Sequence, residues 1–183
     1  MKKLLVFALG ISIVFFTSTS YAHQQYNITQ ITNNNDDDAL ARINDSGQMA
    51  WAGHTGLDTT KNWTMYYFDG TNTQHLADTS IIYDNINLDI NNNGEVVWVN
   101  GNLSDVNTFE IMHYNGAVKK QITTNAYYDT TPRINNNGET VYVGSHGIGY
   151  QVFLYDGSSS NPIITGGQNF TPDINDNGYV AWG

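Results

Sequence analysis

The chain has no cysteine, three prolines and few charges, with 13 % of its 183 residues Asp, Glu, Lys or Arg. Without cysteine there is no disulfide, no thiolate metal site and no cysteine nucleophile, so stability must rest on a packed core. Basic residues number seven against 17 acidic ones, a net charge of −10. That balance disfavours phosphate backbones and anionic lipid surfaces, so neither a nucleic-acid partner nor membrane insertion is expected. Strong helix formers are also scarce beyond the N-terminus. In their place stand 17 Gly, 12 Tyr, 4 Trp and many Asn. Asn and Gly supply turns while Tyr, Trp, Val and Ile supply strands, so the composition predicts an all-β chain.

Long apolar runs are equally rare. The single one, Leu4 to Phe16, follows Lys2 and Lys3 and gives way to a polar stretch with Ser20 and Ala22 at the small-residue positions before a cleavage point. Its 13 residues fall short of the roughly 20 that cross a bilayer. Residues 1–22 therefore read as a signal peptide and residues 23–183 as one exported domain, periplasmic or extracellular. Processing removes two lysines and no acid, taking the net charge to −12.

The chain repeats itself. Ile-Asn-x-x-Gly occurs at Ile43–Gly47, Ile90–Gly94, Ile134–Gly138 and Ile174–Gly178, with an aromatic four residues beyond each glycine at Trp51, Trp98, Tyr142 and Trp182. A second marker ends at Gly70, Gly116 and Gly157 ("YFDG", "HYNG", "LYDG"), and a third follows it ("TQHLA", "KQITT", "PIITG"), with "TQITN" at 29–33 as an extra copy. Asn and Gly in the first marker are expected to supply the positive φ of a tight hairpin, and Asp-Gly or Asn-Gly in the second signals another. Each unit then has four antiparallel strands in 40 to 47 residues, the period of β-propeller blades.

Residues 121–165, "QITTNAYYDTTPRINNNGETVYVGSHGIGYQVFLYDGSSSNPIIT", resemble one blade of the TolB-type propeller repeat, and the similarity extends over nearly all of the chain after residue 22. Where that family usually has Ser-Pro-Asp-Gly, this chain has Asn-x-x-Gly, which makes it similar to an Asn-rich exported relative. The resemblance implies a β-propeller of four-stranded blades. Counting gives a lone strand near Tyr26 to Thr32, three complete units and the first hairpin of a fourth. Because propellers close with typically four to eight blades, this reads as an incomplete ring, a part of a longer protein or a half that associates with itself through open edges.

The candidate sites are modest. "DINNNG" and "DINDNG" place Asp89, Asn91 and Asn93, and Asp173, Asn175 and Asn177, at the spacing of a calcium loop, but Asn100 stands where an EF-hand needs Glu. Arg42 and Arg133 open the equivalent copies, so a turn is the favoured reading and no metal or other cofactor is expected. His23, His54, His75, His113 and His146 show no paired-ligand spacing and read as surface or loop residues. Asp38, Asp84, Asp129 and Asn169 precede the first strand of their units. They are expected either to ring a channel mouth or, as the favoured reading, to satisfy local backbone amides. The recurring aromatics read as interblade core. Trp63, Tyr66, Tyr67, Tyr83, Tyr127 and Tyr128, less tied to the register, are the candidate rim platforms for a ligand.

No Gly-x-Ser-x-Gly and no phosphate-binding glycine loop is present. The sequence thus points to a non-enzymatic scaffold that binds a protein or a glycan. The alternatives are a part of a propeller-containing lyase or peptidase and a self-associating module.

Overall fold

A computed structural model describes residues 28–34, 36–55, 63–79, 87–102, 104–147 and 149–183, so the signal-peptide reading of residues 1–22 lies outside the described residues. Three four-stranded meanders follow one another. The first comprises β1 (Asp36–Ile43), β2 (Met49–Thr55), β3 (Thr64–Phe68) and β4 (Thr73–Asp78). The second comprises β5 (Leu88–Ile90), β6 (Val96–Asn102), β7 (Asp105–Tyr114) and β8 (Lys119–Gln121), and the third β9 (Asp129–Ile134), β10 (Thr140–Gly144), β11 (Gln151–Tyr155) and β12 (Ser160–Ile164). A two-stranded hairpin, β13 (Asp173–Ile174) and β14 (Val180–Ala181), begins a fourth. All pairings between these strands are antiparallel.

Residues 28–32, the described part of the lone strand expected near Tyr26 to Thr32, make no ladder. An outermost strand pairs with the third strand of its blade, and the fourth sheet has two strands. Among the described residues this sheet does not pair back to the first, and no helix is long and apolar enough to cross a membrane.

The Ile-Asn-x-x-Gly segments are the turns from first to second strand, and they correct one expectation. Positive φ falls on the glycine alone, +76° at Gly47, +78° at Gly94, +79° at Gly138 and +75° at Gly178, and on none of the described asparagines. Gly47 N donates to Asn44 O at 3.0 Å and Asn44 N to Gln48 O at 3.0 Å, a turn closed by one left-handed glycine. The asparagine is there for its side chain. In all four units its Oδ1 accepts two backbone N–H groups, from Ser46 and Gln48, Asn93 and Glu95, Asn137 and Glu139, and Asn177 and Tyr179, at 2.9–3.0 Å.

The same asparagines tie sheet to sheet. Asn44 Nδ2 donates to Asn91 O at 2.9 Å, Asn91 Nδ2 to Asn135 O at 2.9 Å, and Asn135 Nδ2 to Asn175 O at 3.0 Å. The second turn residue adds a parallel row: Asp45 N to Asn92 Oδ1, Asn92 N to Asn136 Oδ1 and Asn136 N to Asp176 Oδ1, at 2.7–3.0 Å. Four turns become one belt of hydrogen bonds across three seams. In the first three copies the asparagine closes its own turn and ties it to the next sheet; in the fourth Asn175 closes its own turn.

Between the sheets lies an apolar core. Trp98 and Tyr142 are fully buried with Phe109, Ile111, Met65 and Leu76. Trp51 is buried too, stacked on Tyr66 with ring centroids 5.5 Å apart, whereas Trp182 in the fourth sheet is 40 % exposed. Outer edges are blunted by Lys119 and Lys120 on β8 and by Pro162 on β12, residues that discourage edge-to-edge pairing.

Candidate functional site

Ionisable groups from separate strands gather where the second and third sheets meet. Glu110 lies on β7 between Phe109 and Ile111, and its Oε2 accepts the Thr123 hydroxyl while Oε1 accepts Asn125 N at 3.0 Å. Asn125 folds the following loop by accepting Tyr127 N on its own Oδ1 at 2.8 Å, and its Nδ2 donates to Asp129 Oδ2 at 2.7 Å. Asp129 opens β9 with no exposed surface, and its other oxygen lies 3.3 Å from His146 Nε2. Gly144 stands opposite Asp129 in the ladder, and a Cβ there would come within 2.7 Å of Asp129 Oδ1 and 2.8 Å of the imidazole. A glycine is what leaves room for the pair.

The His146 ring is held between Tyr127, stacked at 4.4 Å and 28°, and Phe153 at 4.4 Å. Beside it opens a cavity of about 240 Å³ lined by Thr123, Thr124, Asn125, His146, Phe153 and Ser160 among others. Tyr127, 44 % exposed, forms an outer face next to this opening.

Burial raises the pKa of both carboxyls, and the charge of Asp129 raises Glu110 further. Unfolded, both ionise near the usual carboxylate values of about 4. Between those values and the raised ones the folded chain holds more protons, so stability is full at the acid end and is lost as pH rises through the folded pKa values. Urea unfolding from pH ~4 to ~8 is expected to show a falling free energy that Asp129→Asn flattens; a slope unchanged by that substitution would exclude the pair as its source. Asp156 gives the opposite sign at lower pH, since turn N–H groups of Ser159 and Ser158 hold it down at about 2.

The other candidate residues sit apart. Trp63 and Tyr67, expected as rim platforms, are buried at 4 % and 5 % exposure: Trp63 packs on His54 at 5.2 Å and Tyr67 meets Tyr114 edge-on at 5.4 Å. They are corrected to core, because their faces are covered by neighbouring rings. Tyr128 is half-buried against Phe109 at 5.3 Å, and Tyr83 and Asp84 lie outside the described residues.

Of the residues expected before each first strand, Asp38 is exposed and accepts Trp51 Nε1 at 3.0 Å. Asn169 is buried and donates to Tyr150 O and Gly166 O at 2.8 Å each. With Asp129 fully buried, the two do not share a channel mouth with it as an acidic ring. His54, expected as a surface or loop residue, lies in β2 and is buried at 2 % beside Trp63.

The two calcium-like loops are committed elsewhere. Asp89 Oδ2 accepts Ile134 N at 3.1 Å, Asn91 Oδ1 accepts Asn93 N and Glu95 N, and Asn93 Nδ2 donates to Asn136 O at 2.6 Å. Asp173 Oδ1 accepts Ile174 N at 3.0 Å, while Asn175 Oδ1 takes Asn177 N and Tyr179 N. Among the described residues no group of three His, Asp or Glu side chains could hold a metal ion.

Glu110 was missed by sequence reasoning. Its signal is a carboxylate flanked by Phe109 and Ile111 inside a strand, where isolated acids are costly to bury without partners.

No protein-family model and no curated protein sequence matches the chain. Solved structures do. TolB from Acinetobacter baumannii superposes with a TM-score of 0.58 at 16 % identity, over 80 % of this chain and 37 % of that one. TolB from Agrobacterium tumefaciens, described as putative, gives 0.54 at 17 % identity, over 76 % of this chain and 49 % of that one. The acylaminoacyl peptidase of Pyrococcus horikoshii gives 0.51 at 14 % identity, over 78 % of this chain and 23 % of that one. The chain therefore spans less than half the length of each. At these identities the likeness concerns the chain path alone: three four-stranded antiparallel sheets and a two-stranded fourth, laid out as the blades of a TolB-type β-propeller.

Proposed function

We propose that the chain is an exported, non-enzymatic propeller scaffold that binds a protein or a glycan on the face formed by Tyr127 and His146. Export is supported by the charged, apolar and small-residue succession in residues 1–22. The observation that carries the binding reading is the Tyr127–His146 stack, an exposed ring held against an imidazole that lines a cavity together with the polar Thr124 and Asn125. Such a ring presents apolar area and hydrogen-bonding neighbours without ordering cost, the combination that sugar rings and peptide side chains use. The carboxyls beneath it are engaged with Thr123 and Asn125, so their role in this reading is to hold the loop.

The test is titration of soluble oligosaccharides and peptides into the protein by calorimetry. Tyr127→Ala is expected to weaken binding by about tenfold, roughly 1.4 kcal/mol, with the fold retained by circular dichroism; equal affinity in the variant would end the assignment of this face. The competing reading, a propeller portion of a larger enzyme, draws on the likeness to the acylaminoacyl peptidase. It predicts turnover of blocked peptides rather than binding alone.

A further inference from the structure

The belt of turn asparagines has two unlike ends. In the rows from the turn asparagine and from the backbone of the residue after it, the earlier turn donates and the later turn accepts; at the first seam Asn92 Nδ2 also donates back to Asp45 Oδ2 at 2.7 Å. In the last turn Asn175 Nδ2, Asp176 N and Asn177 Nδ2 donate to no described partner, although their counterparts Asn135 Nδ2, Asn136 N and Asn137 Nδ2 donate to Asn175 O, Asp176 Oδ1 and Asp176 O at 2.8–3.0 Å. Among the described residues the matching acceptors of the first turn have no partner: Asp45 Oδ1, Asp45 O, and Asn44 O apart from its bond to Gly47 N within the turn. Donors at one end and acceptors at the other follow the same register.

Apolar groups at register-equivalent positions agree. Ile90, Ile134 and Ile174 are buried, but Ile43 is 67 % exposed. The turn glycines of the later units are faced by the residue that follows the preceding turn: Gln48 against Gly94, Glu95 against Gly138, Glu139 against Gly178. Gly47 has nothing within 4 Å of where a Cβ would stand, and the residue that would face it in register is Tyr179, 74 % exposed. Tyr179 also replaces the Gln or Glu that takes the asparagine amide in the other units. One end offers a ring and the other a bare turn.

We propose that a second copy of this chain closes the belt head to tail, with Tyr179 and the last turn of each copy seated on Gly47, Ile43 and the first turn of the other. Two such contacts related by a two-fold axis give a ring with eight Ile-Asn-x-x-Gly turns, within the four to eight blades of propellers. The outer edges of the second and third sheets compete less, because Lys119, Lys120 and Pro162 guard them. This inference is independent of the ligand assigned above.

The register makes one further demand. Each seam joins the second residues of two turns, and at the closing seam these are Asp176 and Asp45 of the other copy. The third seam, by contrast, pairs Asn136 with Asp176 through Asn136 Nδ2 to Asp176 Oδ2 at 2.8 Å. Two carboxylates repel, so Asp176→Asn recreates the third-seam pairing at the contact and tightens it.

Sedimentation velocity and light scattering on the full chain decide the matter. The expected result is a dimer whose dissociation constant rises about tenfold or more in Tyr179→Ser and in Ile43→Arg, both exposed positions, and falls in Asp176→Asn. Asn175→Asp keeps the acceptor that closes the turn but removes the donor, and should weaken the dimer with the fold intact. A monomer at all concentrations, an open series of larger species, or a dimer that none of these substitutions shifts overturns the proposal.

Discussion

Asn135→Ala is expected to lower the melting temperature by roughly 10 °C, from a loss of about 3 kcal/mol. Asn135 is buried and makes four bonds: Oδ1 accepts Asn137 N and Glu139 N at 3.0 Å, and Nδ2 donates to Glu139 Oε2 at 2.6 Å and Asn175 O at 3.0 Å. Alanine leaves two turn amides and the carbonyl of the next sheet short of partners, and the cost of unmade buried bonds exceeds the worth of made ones. Asn175→Ala provides the internal control. Within the single chain it removes the same two turn bonds but no seam bond and no carboxylate contact, so at concentrations where the protein is monomeric its loss should be less than half as large. Thermal denaturation followed by circular dichroism compares the two; equal losses would show that the seam bonds contribute nothing.

Trp98→Ala is expected to cost more, about 4 kcal/mol, because a fully buried indole leaves a cavity that the surrounding sheets cannot close. The indole N–H, however, has no hydrogen-bond partner among the described residues. Trp98→Phe removes an unsatisfied donor along with part of the ring, so the two effects offset and the loss should fall below half that of alanine. Urea unfolding measures both variants. A phenylalanine variant as unstable as the alanine one would mean that the nitrogen is bonded in solution. Trp182→Ala, at the half-exposed equivalent position, should cost far less.

The architecture could be read because the chain repeats. Period, aromatic register and glycine turns are local patterns, and each recurs three or four times, so the strands of Gly47–Gly70 could be placed from those of Gly138–Gly157. What could not be read was where side chains go once the sheets stand face to face. Asn91 and Asn135 were legible as turn residues, but their bonds to carbonyls 44 and 40 residues further on are properties of the stack.

Trp63 and Tyr67 fell off the aromatic register and so suggested a rim, yet packing on His54 and Tyr114 covers them. The Glu110–Asp129–His146 group was invisible for the same reason: its members come from β7, β9 and the loop after β10. No spacing along the chain announces that they meet. Gly144, whose missing side chain makes room for them, reads in sequence as one more strand-ending glycine.

The turn belt also sets how the molecule ages. Asn93-Gly94, Asn137-Gly138 and Asn177-Gly178 are the dipeptide most prone to deamidation, in which the glycine nitrogen attacks the side-chain carbonyl, ammonia leaves, and the succinimide hydrolyses to aspartate or isoaspartate. In the second and third turns the asparagine amide is clamped on the next sheet, Asn93 Nδ2 on Asn136 O at 2.6 Å and Asn137 Nδ2 on Asp176 O at 2.8 Å. The side chain cannot swing to the attack geometry without opening a seam. Asn177 carries no such clamp among the described residues of the single chain, so within the belt chemical damage begins at the loose end and is slowest where the sheets are already locked together.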